Sequence, residues 1–206
     1  MARKSGSSGE KTAIAVREAA IRLIAQHGFA AVSMRQIARE VGVQAGALYL
    51  YTPDKQSLLF DILKSHMEDL LSSWQDEAPG SDMAPEARLE RFVRFHIRYH
   101  ISRQDRVFIS YMELRNLSPD NFVEIERLRR LYEDVLGEIL SDGAAKGVFV
   151  MEDIRVTTMA MIAMLTGVST WFREGGRLGP DDIAAHYISM SLRLAGAHVP
   201  MLAVAE

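Results

Sequence analysis

Two histidines, His96 and His100, stand four residues apart in a stretch whose apolar positions recur at helical spacing, so both rings fall on one helix face. Zinc accepts that spacing. The intervening Ile97-Arg98-Tyr99 supplies no glutamate to act as a base, and no third ligand stands out. The commoner role for such a pair is to line a pocket or pack in a core. A small helical metal-dependent enzyme is the remote alternative, and it lacks any recognisable pairing of nucleophile and base. The chain has no cysteine, which excludes disulfides, thiolate zinc sites, iron–sulfur clusters and a cysteine nucleophile. A second group suits binding. Tyr49 and Tyr51 carry hydroxyls that can reach phosphates without desolvating a full charge. Beside them Ala45, Gly46 and Ala47 are small enough to let a backbone approach a groove. Lys55 falls in the first turn of a helix, where a cation opposes the helix dipole, and a phosphate partner is the natural explanation. A third group, Met159, Met161 and Met164 with Trp171 and Phe172, fits either an ordinary core or an adaptable ligand cavity.

These residues must be held by helices. Apolar residues recur at three and four throughout, and no alternating apolar and polar runs joined by a hairpin turn occur. Val16, Ala20, Leu23 and Ile24 stripe a first helix that stops at Gly28. Ser33 and Gln36 form a capping box at the start of a short helix ended by Gly42. A second short helix covers about Gln44 to Tyr51. Thr52-Pro53 reads as the start of a long helix to Trp74. After a linker at 77–85, helices follow to about Ser102, from Gln104 to Leu114, from Pro119 to Gly143 or Gly147, from Glu152 to Glu174, and from Pro180 onward. The expectation is an all-α chain of about nine helices. Its divisions are a flexible basic arm (1–12) holding Arg3, Lys4 and Lys11, a reading head (13–55) and a larger body (56–206).

The charge is uneven. The first 55 residues hold eight basic and four acidic groups, a net +4, so the remaining 151 carry −7 of the overall −3. A basic head on an acidic body points to a polyanion for the head. No secretory signal is visible, and the longest uncharged stretch, 156–172, is too polar for a membrane span. The expected location is the cytoplasm, with no membrane partner.

The two short helices joined by Gly42-Val43-Gln44 have the layout of a helix-turn-helix. The run SMRQIAREVGVQAGALYLYTPDKQSLL resembles the DNA-binding domain of the tetracycline-repressor (TetR) family. Ser33, Ile37-Ala38, Gly42-Val43, Leu48-Tyr49, Lys55 and Leu58 carry the match, with His27-Gly28-Phe29 upstream. The resemblance implies an N-terminal three-helix DNA-binding domain and a C-terminal helical domain for ligand binding and dimerisation. Arg35, Gln44 and Ala45 would face base edges, and Ser33, Ala47, Tyr49, Tyr51 and Lys55 the DNA backbone. Gln44 stands where the family usually has a capping Ser or Thr, Thr52 where an aromatic is usual, and Val41 where Ala is usual. These departures bear on base preference. The implied partners are a double-stranded operator, a second copy of the chain and a small effector, with no cofactor. The dimer contact is expected on the last two long helices, at Ala160, Ala163, Ile183, Tyr187, Ser191 and Leu194.

A softer likeness lies further on. Glu113 to Leu117, Arg130 with Tyr132, and Trp171-Phe172-Arg173 with Gly175-Gly176-Arg177-Leu178 look like family members that sense acyl-CoA thioesters. On that reading the acyl chain lies among Phe92, His96, His100, Met112 and Met164. Trp171, Arg173 and Arg177 would form a cationic, stacking mouth. A drug or a free acid is the alternative effector.

Overall fold

The computed structural model describes residues 6–197. Every regular element among them is helical: α1 (Gly6–His27), α2 (Met34–Val41), α3 (Ala45–Leu48), α4 (Lys55–Glu77), α5 (Pro85–Ile101), α6 (Gln104–Met112), a 3-10 turn at Leu114–Asn116, α7 (Pro119–Ala145), α8 (Ile154–Thr166), α9 (Val168–Trp171) and α10 (Pro180–Leu194). α8 passes into α9 through Gly167, whose φ of −53° and ψ of −24° are helical. Taken as one interrupted helix, they give the expected nine among the described residues.

Several boundaries differ from expectation. α1 begins at Gly6, so Lys11 rides on a helix and not on an arm; Arg3 and Lys4 lie outside the described residues. α3 stops at Leu48 instead of reaching Tyr51. Its N-cap, Gln44, makes no side-chain cap bond, and the chain tightens at once into i→i+3 bonds, Leu50 N–H to Ala47 and Tyr51 N–H to Leu48. α4 begins at Lys55, not at Thr52-Pro53. Asp54 is the cap: its carboxylate accepts the Ser57 N–H at 2.7 Å, and that bond holds its pKa below the usual value. The α8–α9 segment ends at Trp171, short of Glu174.

The described chain forms two compact units. Residues up to Glu68 with Asp105–Arg127 make the first, the head; Asp69–Gln104 with the residues from Leu128 make the second, the body. The head therefore takes in α6 and runs on past residue 55. Its core gathers Val16, Ala20 and Ile24 of α1, Ile37 and Ala38 of α2, Leu48 of α3, and Leu59 and Ile62 of α4, all buried. This packing holds the four-residue α3, which is far too short to persist alone. In the body, α10 packs along α5, and α8 and α9 also touch α5. Phe92, Leu136, Met161 and Leu165 are buried there. Ile183 and Ser191 are expected at a subunit contact, but both are buried within the chain, on the inner side of α10. The outer apolar side is Val156 and Met159 of α8 with Met190 and Leu194 of α10, and Ala160 and Ala163 are exposed beside them. No helix of the described residues is long and apolar enough to cross a membrane.

Gly42 closes α2 in the left-handed region at φ +75°, and its N–H reaches the carbonyls of Ala38 and Arg39. A Cβ there would meet nothing within 4 Å, so Gly42→Ala isolates the conformational penalty. The loss should be about 1–2 kcal/mol, read as a lower thermal midpoint with no change in oligomeric state. An unchanged midpoint would show that the turn is not held left-handed.

Candidate functional site

The candidate face is built from α2, the turn and α3. The capping box at Ser33 forms as its spacing predicts: the Gln36 N–H donates to Ser33 Oγ at 3.3 Å, and the Ser33 N–H donates to Gln36 Oε1 at 2.7 Å. Ile37, Ala38 and Leu48 turn inward. Ser33, Arg35, Gln44, Gly46 and Tyr49 are left exposed, with Ala45, Ala47, Tyr51 and Lys55 half-buried beside them. Leu50, given no role by the sequence, is 82% exposed between the two tyrosines, which no folding argument explains. A Cβ added at Gly46 would meet nothing within 4 Å, so its smallness serves no contact within the chain.

Lys55 is differently employed from its expected role. Its ammonium donates to the carbonyls of Phe29 and Val32, both at 2.8 Å, and lies 4.2 Å from the centre of the Phe29 ring. An ammonium has three donors, so at most one remains to face a phosphate. The carboxylate of Asp54 already meets the α4 dipole, which removes the need for an anionic partner at that helix start. On the other side of Phe29, its N–H donates to Glu113 Oε1 at 3.1 Å. The sequence offers Glu113 only as part of a likeness, and its reach back to Phe29 carries no local signal.

Phe92 and His96 have no accessible surface, so no void large enough for a water touches them. Phe92 packs edge-on to Trp74 at 5.2 Å between ring centres and lies 5.4 Å from Tyr132. His96 is held at both nitrogens, Nδ1 to Tyr132 Oη and Nε2 to Thr166 Oγ1, each at 3.1 Å. His100 stacks on it at 3.7 Å and shares Nδ1 with the His96 carbonyl at 2.8 Å. No group of three potential metal ligands occurs among the described residues. Met164 is half-buried. Met112, expected in the same slot, is 54% exposed and belongs to the head unit. Trp171 is 49% exposed at the end of α9. Arg173 is exposed and donates to the Phe172 carbonyl, and Arg177 is exposed.

Burial holds His96 well below the ordinary histidine range, and the neighbouring His100 lowers it further. Burial likewise brings His100 down to about 4 from 6.5, with Arg103 also lowering it and the bond to His96 opposing. The unfolded chain takes up these protons near pH 6.5 and the folded chain only far lower. Stability is therefore full above about 6.5 and falls as pH falls toward 4. From pH 7 to 5 the loss from His100 should be roughly 2 kcal/mol in urea denaturation, and His100→Phe should remove that share. A pH-independent midpoint would contradict the burial of the pair.

Lys55→Met keeps the stem over Phe29 and removes both carbonyl bonds. If this face meets duplex DNA, as the family resemblance implies, affinity should fall at every salt concentration, with the salt slope changed by well under one unit. A drop in slope of about one would return Lys55 to the phosphate role.

Comparison with known proteins bears on both units. The family model for bacterial regulatory proteins of the tetR family matches residues 16–62, and the model for the tetracyclin repressor-like C-terminal domain matches 82–195. The chain is 26% identical to the HTH-type transcriptional repressor KstR2 of Rhodococcus jostii, across 94% of this chain and 95% of that protein. It is 22% identical to the fatty acid metabolism regulator protein of Bacillus subtilis, across 88% and 93%. Among solved structures, a tetR-family regulatory protein from Rhodococcus RHA1 superposes with a TM-score of 0.87 at 31% identity, covering 92% of this chain and 99% of that one. AibR in complex with isovaleryl coenzyme A and operator DNA gives 0.77 at 27%, covering 87% and 97%.

Proposed function

The chain belongs to the TetR family of DNA-binding transcriptional regulators, and from that premise we propose that it is a cytoplasmic, homodimeric repressor released from a two-fold operator by an acyl-CoA. The observation that carries the reading is the exposed face of Arg35, Gln44, Gly46, Tyr49 and Leu50 on a helix pair that buries Ile37, Ala38 and Leu48 in the core. The guanidinium and the amide suit base edges in a major groove, Leu50 suits a thymine methyl, and the tyrosines suit phosphates. One such face spans too few base pairs for specific binding, so two copies about one helical turn apart are required. The exposed apolar side of α8 and α10 supports a pairing of copies.

The effector class rests on relatives. One is named for fatty acid metabolism and another was solved with isovaleryl coenzyme A. The closed packing of Phe92, Trp74 and Tyr132 sets a condition. An acyl chain must part these rings to enter. An effector that favours the parted body can lower DNA affinity, whereas one that binds both states equally switches nothing. Trp171, exposed at the end of α9, is free to stack on the adenine of the coenzyme.

Gly46→Ala should raise the stability of the free protein by about 0.5–1 kcal/mol and still weaken operator binding, because the added methyl meets only the DNA. Arg35→Ala should cost on the order of 1–3 kcal/mol and relax the preference at one position of each half-site. If both variants bound as the wild type does, the reading face would lie elsewhere. The effector is tested by mobility shift with acyl-CoAs, free acids and hydrophobic cations. Release by CoA thioesters, blunted in Trp171→Ala without change in effector-free DNA affinity, is expected. Release by acids or cations alone would remove the CoA assignment.

A further inference from the structure

Glu113 is 5% exposed, at the C-terminal end of α6. Such a carboxylate is stable only while its oxygens are hydrogen-bonded. Oε1 takes the Phe29 N–H at 3.1 Å and Oε2 takes the side-chain amide of Asn116. Phe29 is the first residue past the left-handed Gly28 that ends α1, and its carbonyl is held by Lys55. One residue of the α1–α2 connection is thus gripped from both sides, by an anion on its N–H and a cation on its C=O. Two further contacts fasten the same stretch to the head: Arg106 pairs with Glu18 of α1, and Gln56 of α4 donates to the Asn116 carbonyl. Segment 105–116 therefore reaches α1, the α1–α2 connection and α4, the elements that frame the reading face.

We propose that Glu113 is a positioning residue for operator binding. Its carboxylate keeps Phe29, and with it the approach of α2, in the DNA-competent geometry, and an effector lowers DNA affinity by withdrawing it. The second clause rests on the reading of the body as an effector domain. The engaged and withdrawn states are discrete, because a half-withdrawn carboxylate would be desolvated and unbonded. Reciprocity then fixes a sign that a merely structural role does not share. Removing the clamp favours the state that the effector selects, so operator affinity falls while effector affinity rises.

The test measures operator binding and palmitoyl-CoA binding to DNA-free dimer, for wild type, Glu113→Ala and Glu113→Gln. Glu113→Ala should lose roughly tenfold in operator affinity, about the worth of one hydrogen bond to a charged group, and gain several-fold for palmitoyl-CoA. Glu113→Gln keeps an acceptor for the Phe29 N–H and should move both affinities the same ways by less. Operator affinity within twofold of wild type in Glu113→Ala would overturn the proposal. So would a fall in both affinities in Glu113→Gln. If the wild type binds no palmitoyl-CoA, the effector reading fails separately and the operator arm decides alone. Loss of operator affinity in a Glu113→Gln dimer that melts as wild type supports the positioning role, and unchanged affinity overturns it.

Discussion

The backbone of Phe29 is the point on which the head depends. A helix that ends at a left-handed glycine and runs on into a buried residue leaves polar backbone groups that water cannot reach, and each must find a partner within the chain. Here the partners are charged and come from distant segments: Glu113 on the N–H, Lys55 on the carbonyls of Phe29 and Val32. Because these two side chains meet the connection from within, the α2–α3 surface is relieved of structural duties. Arg35, Gln44 and Tyr49 can then face outward, as a surface meant for another molecule requires.

Local features of this head are legible in the sequence. The Ser33–Gln36 box, the left-handed Gly28 and Gly42 and the buried Ile37 and Leu48 all follow from neighbours within a few residues, whereas Val41 and Val43, which the same spacing marks as core, are half-buried. The length of α3 does not, because a helix held entirely by tertiary packing has no end signal of its own. Lys55 and Glu113 are the larger misses. Their partners lie 26 and 84 residues away, and nothing in either neighbourhood marks them. A phosphate partner for Lys55 follows from the helix dipole only while Asp54 goes unrecognised as the cap that balances it.

The body shows the complementary limit. Helical periodicity marks Phe92 and His96 as inward-facing, and both are fully buried. Periodicity cannot say whether an inward residue lines a slot or fills a core, and these fill one. α10 is apolar on two sides, and Ile183 and Ser191 belong to the inner one, which periodicity alone does not distinguish from the outer. Phe92 packed on Trp74 and Tyr132, with His96 held by Tyr132 and Thr166, makes a core that resists partial opening. A ligand that enters it must rearrange several rings together, the kind of all-or-none change that can be passed on as a switch.

Two copies of one small face, held at a fixed separation, would read a symmetric duplex. Enrichment of bound sequences from a pool of random duplexes, using the full-length protein without effector, tests this with no operator sequence assumed. The expected product is an inverted repeat whose half-sites are centred about 10 base pairs, one helical turn, apart or a multiple of it. Enrichment of a single unsymmetrical site, or of none, would contradict it.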